Sequence, residues 1–212
     1  MTELILALDV TVKKKALAIA HACAPHLDAI KLGYPLILSC GLSLAQDLED
    51  EGLPIIADFK VADIPNTNRL IAEQVFDAGF SAIICHGFTG KDAVQVCVDT
   101  ASDYGGACFV VAEMSHPGAT EFFTRDIPER IARLAIDCGA DGIIAPATRP
   151  ERIHALRTIV GNRKILSPGI GVQGGDADAV ATLVDGIIVG RAIYDTDNPG
   201  ESAERFARIR SA

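Results

Sequence analysis

The chain has 212 residues, 49% of them hydrophobic and 22% charged, with 19 Lys and Arg against 28 Asp and Glu, a formal charge of −9. This length and apolar content predict one globular domain over residues 1–212 with a large core. The acidic balance argues against a nucleic-acid or anionic-membrane surface, while leaving room for a small anionic ligand held by a local field. Eight short apolar runs alternate with longer segments of helical spacing. Leu4 to Leu8 is continuous rather than alternating, as in strands covered on both faces. The helix expected next, Val12 to Cys23, carries Lys13-Lys14-Lys15 as a solvated face. Ala29 to Leu32 precedes a helix from Leu42 to Glu51, closed by Gly52. Ile55 to Phe59 leads into a helix opened by Pro65, with apolar positions at Ile71, Val75 and Ala78. Four further pairs follow: Ala82 to Cys85 with Lys91 to Ser102, Cys108 to Ala112 with Pro128 to Cys138, Gly142 to Ala145 with Pro150 to Val160, and Ile165-Leu166 with Asp176 to Val184. Gly186 to Val189 with Pro199 to Ile209 completes the series.

Eight strand–helix units predict an α/β fold, a single (β/α)8 barrel, with an open doubly wound sheet as the alternative. No linker, low-complexity segment or internal repeat is evident. Two connections are long for so lean a chain, Ser115 to Asp126 and Gly169 to Gly175. The cysteines Cys23, Cys40, Cys85, Cys97, Cys108 and Cys138 form no CxxC pair and read as small buried hydrophobes in a reducing compartment. Nothing resembles a signal segment or a membrane span, so the expectation is a soluble, cytoplasmic protein.

The chemistry gathers at the downstream ends of the apolar runs. In Asp58-Phe59-Lys60-Val61-Ala62-Asp63, strand alternation puts Asp58 and Lys60 on one face and Phe59 on the other. Two such charges at a buried strand end tolerate desolvation only as partners, and a purely structural ion pair is the plain alternative. Asp9, Lys31, His86, Glu113, Ser115, Ser167 and Arg191 stand at or beyond the ends of other runs. In a barrel these ends meet at one face, where active sites are built.

Ser167-Pro168-Gly169-Ile170-Gly171 and Val189-Gly190-Arg191 end the last two runs, where barrels frequently bind phosphate on glycine N–H groups and arginine. Simple tight turns are the alternative. The stretch from Gly169 through Val172 and Gln173 to Gly175 reads as a lid that orders on the phosphate, with Gln173 as its polar hand. His86 reads as a hydrogen-bonded structural histidine and His116 as a turn former. No His/Cys cluster has metal spacing. Asp9, Asp58 and Asp63 could hold magnesium, but Lys31 and Lys60 would compete for their charge.

Together, Asp58-Phe59-Lys60-Val61-Ala62-Asp63-Ile64-Pro65-Asn66-Thr67-Asn68, Glu113-Met114-Ser115-His116-Pro117-Gly118, Ser167 to Asp176 and Ile188-Val189-Gly190-Arg191 resemble the orotidine 5'-phosphate decarboxylase family, most closely its short microbial members. The resemblance runs nearly the whole chain, and Asp9 and Lys31 match the family's first two polar positions. It implies decarboxylation of orotidine 5'-monophosphate to UMP without cofactor or metal, and no nucleic-acid or membrane partner. By the same resemblance, Lys60, Asp58, Lys31 and Asp63 are catalytic, and Lys60 protonates the carbanion. Asp9 and Lys31 would hold ribose, Ser115 the pyrimidine, and Pro168, Gln173, Gly190 and Arg191 the phosphate end. Ile64 and Ile84 would form an apolar pocket near the leaving carboxylate. Asp63 and Thr67 would act across a homodimer interface. Related barrels sharing Asp-x-Lys-x-x-Asp include magnesium-dependent sugar-phosphate decarboxylases and lyases, which carry a glutamate at the Lys31 position. A non-catalytic phosphometabolite-binding barrel is the other alternative.

Overall fold

A computed structural model describes residues 2–124, 126–171 and 173–209. Met1, Arg125, Val172 and residues 210–212 lie outside the described residues, among them one position of each long connection. Eight parallel strands run β1 (Glu3–Leu8), β2 (Ala29–Gly33), β3 (Ile55–Val61), β4 (Ala82–His86), β5 (Ala107–Val111), β6 (Gly142–Ile144), β7 (Lys164–Pro168) and β8 (Gly186–Val189). Each pairs with the next, and β1 also pairs with β8 through Ile5 opposite Ile188. That last pairing closes the barrel and excludes the open doubly wound sheet.

The helices are α1 (Lys13–Cys23), α2 (Tyr34–Cys40), α3 (Leu44–Asp47), α4 (Pro65–Asp77), α5 (Lys91–Asp103), α6 (Ile127–Asp137), α7 (Pro150–Val160), α8 (Ala177–Val180), α9 (Arg191–Tyr194) and α10 (Pro199–Ile209). Three departures from the sequence reading stand out. The segment after β2 holds an unexpected α2, opened by Pro35 in its first turn, and the helix expected from Leu42 to Glu51 is only α3 followed by a tight turn into Gly52. The helix expected from Asp176 to Val184 is a single turn over Ala177–Val180, after which Leu183 N–H donates to the Val180 carbonyl at 2.8 Å. The short α9 precedes α10 because the chain turns at Gly190 directly over the barrel mouth.

Alternation along the strands separates two cores. Ile5, Ile56, Phe109, Leu166, Ile144 and Ile188 belong to the cluster inside the barrel, while Leu4, Leu6, Ile30, Ile83, Val110 and Ile187 pack outward against the helices. All six cysteines are free, and every one but Cys40 is buried. No helix among the described residues is long and apolar enough to cross a membrane.

The barrel floor carries a fourfold repeat too short to be noticed in the sequence. The residue before each even strand exchanges two hydrogen bonds with one residue at the base of the preceding odd strand. Asp28 N–H donates to the Leu4 carbonyl at 2.9 Å and its Oδ2 accepts from Leu4 N–H at 2.7 Å. Asp141 does the same with Cys108, at 3.0 and 2.8 Å, and Asp185 with Ile165, again at 3.0 and 2.8 Å. At β4 the role falls to Ser81, whose N–H reaches the Ile55 carbonyl at 2.8 Å and whose hydroxyl oxygen accepts from Ile55 N–H at 3.3 Å. Each clamp satisfies a strand-end N–H and pins the register of a parallel pair, which no hairpin turn can do here.

Removing one clamp should weaken the fold without touching the mouth. Asp141→Ala is expected to lower the unfolding free energy by about 1–3 kcal/mol, the cost of an unmade backbone bond. Asp141→Ser should retain most of it, because Ser81 performs the same task at β4. Urea titrations of the three proteins check this, and coincident curves for wild type and Asp141→Ala would contradict it.

Candidate active site

The site is built on β3. Its pairing with β4 runs from Ala57 opposite Ile83 directly to Val61 opposite Cys85, so four steps along β3 match two along β4. A bulge of this kind re-aims side chains at a strand end. Lys60 sits inside it at φ 46°, a left-handed conformation that a non-glycine residue holds at a cost of about 1–3 kcal/mol when its surroundings enforce it. The enforcing contacts are on both sides. Phe59 points outward, stacked on Tyr34 at 5.0 Å and edge-on to Phe80 at 5.9 Å between ring centres. Asp58 and Lys60 face the barrel mouth, as alternation predicts, although the strand is irregular between them.

Asp58 is the centre of a linear ion chain. Its Oδ2 accepts from Lys31 Nζ at 2.5 Å and its Oδ1 from Lys60 Nζ at 2.6 Å. Lys31, from β2, is 5% exposed. Burial alone would raise the Asp58 carboxyl, yet Lys31 and Lys60 together hold it at about 2. Burial likewise works against the Lys31 ammonium, and Asp58 and then Asp9 reverse that and raise it. Asp9 stands just beyond β1, and it fits because residue 33 is glycine: a Cβ there would lie 2.5 Å from Asp9 Oδ1.

These groups line one side of a cavity of about 340 Å³ that also contains Ile84, Ser115, Pro168, Gln173, Gly190 and Arg191. Ile84, Val111, Ile144 and Ile188 give it an apolar wall. At the far rim β7 ends at Pro168 and the chain turns through Gly169 at φ 99°. The glycine-rich stretch is less free than its composition suggests: Gly175 N–H donates to the Gly169 carbonyl and Gly171 N–H to the Gly175 carbonyl, both at 2.9 Å. Gln173 Oε1 folds back to 3.2 Å from where a Gly169 Cβ would stand. Arg191 opens α9 beside Gly190, with its side chain exposed at the mouth.

Residues 2–206 match the family model described as "Orotidine 5'-phosphate decarboxylase / HUMPS family". The chain belongs to this family. It is 55% identical to the orotidine 5'-phosphate decarboxylase of Methanosarcina barkeri over 206 residues, 96% of this chain and 92% of that one. With the orotidine 5'-phosphate decarboxylase of Thermococcus kodakarensis it shares 48% identity over 208 residues, 97% and 95% of the two chains. The crystal structure of the Methanocaldococcus jannaschii orotidine 5'-monophosphate decarboxylase complexed with inhibitor BMP superposes with a TM-score of 0.96 at 39% identity, covering 100% of both chains.

In this decarboxylase-family barrel, Asp63, Ile64 and Thr67 do not reach the chain's own cavity. Asp63 and Ile64 line a separate shallow depression with Ala62, Pro65, Thr89, Asp92 and Ala93. Ile64 is 65% exposed, so the expected pocket joining Ile64 to Ile84 does not form within one chain. Its turn is fixed by Asn68, fully buried on α4, whose Oδ1 accepts from Asp63 N–H at 3.0 Å and whose Nδ2 donates to the Ala93 carbonyl at 3.1 Å. The expectation of a hydrogen-bonded His86 also fails. Among the described residues its buried Nδ1 has no partner, while the ring packs against Phe88 and burial, then Lys60, lower its pKa to about 4. Sequence reasoning missed Met114 and Tyr194 on the cavity wall, and took His116, also on that wall, only for a turn former. Tyr194 follows Arg191 by three residues, and that one-turn spacing was the available signal.

Among the described residues no three His, Cys, Asp or Glu side chains gather as a metal would require. Both Asp58 oxygens are already taken by ammonium groups, so this donor set does not fit a divalent cation.

The ion chain has a signature in acid. Asp58 titrates at about 2 in the fold against an ordinary 3.8, so its stabilisation is complete above about 4 and is lost as pH falls toward 2. In Asp58→Asn nothing titrates at this position, and the decline in unfolding free energy between those limits should be shallower than in wild type. Urea titrations across the interval check this; parallel declines would show that Asp58 is not held by the two lysines.

Proposed function

We propose that the chain decarboxylates orotidine 5'-monophosphate to UMP and carbon dioxide in pyrimidine biosynthesis, using its own side chains. The observation that carries this reading is the Lys31–Asp58–Lys60 ion chain on a cavity that Ile84, Val111, Ile144 and Ile188 also line. Breaking the bond from C6 to the carboxylate leaves an electron pair in an sp² orbital with no π-system to spread into. Lys60 offers the nearby positive charge that such a localised carbanion needs, and then the proton that converts it to UMP. Asp58 faces the departing carboxylate and holds the Lys60 ammonium in place through its Oδ1. Ile84 lies on the apolar wall where the neutral product carbon dioxide would pass.

Lys31 links Asp58 to a ribose hydroxyl, with Asp9 beside it. Ser115 holds the pyrimidine. At the other end Arg191 and the Gly190 turn bind phosphate, and Gln173 joins the lid to it over Pro168. Arginine and glycine N–H donors suit an anion of this shape. The reading also includes a cytoplasmic homodimer. Asp63 and Thr67, with Ile64 beside them, complete the site of a second copy. Support comes from the exposed apolar side chains Leu38, Ile64, Leu70 and Phe88, which α2, the β3–α4 turn, α4 and the β4–α5 connection present to solvent in a single chain.

Lys60→Ala is expected to abolish turnover while the fold and most UMP affinity remain, because the ammonium acts chiefly on the transition state. Absorbance assays of orotidine 5'-monophosphate loss, run with and without EDTA, test this together with the metal-free chemistry. Near-wild-type turnover in the variant would sink the mechanism, and a requirement for added magnesium would favour the sugar-phosphate lyase reading.

The composite site has its own test. Lys60→Ala and Asp63→Ala are both expected to be inactive alone. After subunit exchange, the Asp63→Ala chain of a mixed dimer keeps its own Lys60 and receives an intact Asp63 from its partner. Up to half the sites in each mixed dimer should then recover. Confirmed exchange without recovered activity would place Asp63 in its own chain's chemistry.

A further inference from the structure

Glu113 lines the cavity, yet no step above uses it. It stands just past β5 and is 2% exposed. A carboxylate this deep needs strong partners to stay charged, and each oxygen has one. Oε1 accepts from Arg149 Nε at 2.8 Å and Oε2 from Arg152 Nε at 3.1 Å. Arg152 is held in turn by Glu129 on α6, at 3.0 Å. Two carboxylates thus balance two guanidiniums, and the cluster leaves no net charge to attract a ligand.

The cluster acts instead on the backbone that carries Ser115. Arg149 Nη2 donates to the Met114 carbonyl. That carbonyl and the Ser115 N–H belong to one planar peptide unit, so fixing the first fixes the second. Thr148 repeats the tie on the following unit, its hydroxyl donating to the Ser115 carbonyl at 3.3 Å. Consecutive residues of the β6–α7 loop therefore grip Ser115 from both of its peptide units, and Glu113 orients the stronger grip.

We infer that Glu113 is a positioning residue for pyrimidine recognition, acting through Arg149 to set the orientation of Ser115 at the cavity wall. The inference rests on the assignment of Ser115 to the pyrimidine in the proposed function. A cluster that merely tied β5, α6 and α7 together would weaken every ligand alike when broken. A positioning cluster weakens only ligands that carry the base.

The test compares binding of UMP and ribose 5-phosphate by calorimetry in wild type, Glu113→Gln, Ser115→Ala and the double variant, with kcat and KM for orotidine 5'-monophosphate alongside. Glutamine keeps the volume but turns an N–H₂ toward a guanidinium. Glu113→Gln is expected to weaken UMP by about tenfold or more, the scale of one charge-assisted hydrogen bond, and ribose 5-phosphate by less than about twofold. In the Ser115→Ala background the same change should cost less than about twofold further, because coupled residues are non-additive. Equal weakening of both ligands, unchanged UMP affinity, or full additivity would each overturn the inference. If Glu113→Gln does not fold, Arg149→Lys, which keeps the charge but loses the bond to Met114, is expected to show the same selectivity and is judged by the same outcomes. A wild type that binds UMP but leaves orotidine 5'-monophosphate intact would defeat the proposed activity while this comparison still decides the role of Glu113.

Discussion

One carboxylate held between two ammonium groups organises the mouth of this barrel. Burial works against the ionised Asp58, and Lys31 and Lys60 outweigh it; burial works against the Lys31 ammonium, and Asp58 and then Asp9 outweigh it. Removing one partner from a buried arrangement of this kind typically costs about 3–5 kcal/mol, because a charge is left uncompensated. The consequence is rigidity. Both lysines are fixed to the same group, so Lys60 presents its ammonium from one place rather than sampling the cavity.

The rest of the barrel serves that placement. Lys60 occupies a strained backbone conformation inside a bulge, and the strain persists because Phe59 is locked between Tyr34 and Phe80 on the outer side while Asp58 holds the inner side. Farther down, two of the four clamps on the floor, at Asp28 and Ser81, fix the register of the β1–β2 and β3–β4 pairs that carry Asp9, Lys31, Asp58 and Ile84 to their heights. The floor therefore holds the parts that stabilise, and the mouth holds the parts that are strained, charged and exposed, as the barrel architecture allows.

Charge is also distributed against the composition. The protein carries −9 overall, yet within the cavity Asp9 and Asp58 are offset by Lys31 and Lys60, Glu113 is neutralised by guanidiniums from behind the wall, and Arg191 stands exposed at the mouth. An anionic group is thus met by Arg191 at the rim of a charge-balanced cavity, in a chain that would repel it at long range. Local arrangement, not net charge, decides what such a site accepts.

The sequence by itself determined the eight strands, the barrel and many of the residues that line its cavity. Strand identity follows from short apolar runs bounded by glycine and polar residues, and Asp9, Lys31, Asp58, Lys60, Ser115, Gln173 and Arg191 were legible because barrel topology brings strand ends to one face. Periodicity could not show what depends on residues far apart in the chain. The Glu113 cluster joins residues 113, 129, 149 and 152 on separate elements, and the floor clamps use single residues in four distant places. The bulge at Lys60 arises from a register mismatch with β4, which no local pattern in β3 records. The length of α8 and the existence of α2 and α9 were likewise not recorded in any local pattern. Ile64 is the clearest case. Its motif marks it as a partner of Ile84 in one pocket, but only the fold shows that the turn held by Asn68 carries it, with Asp63, away from the chain's own cavity, because β3 ends at Val61 and the chain must bend outward to start α4.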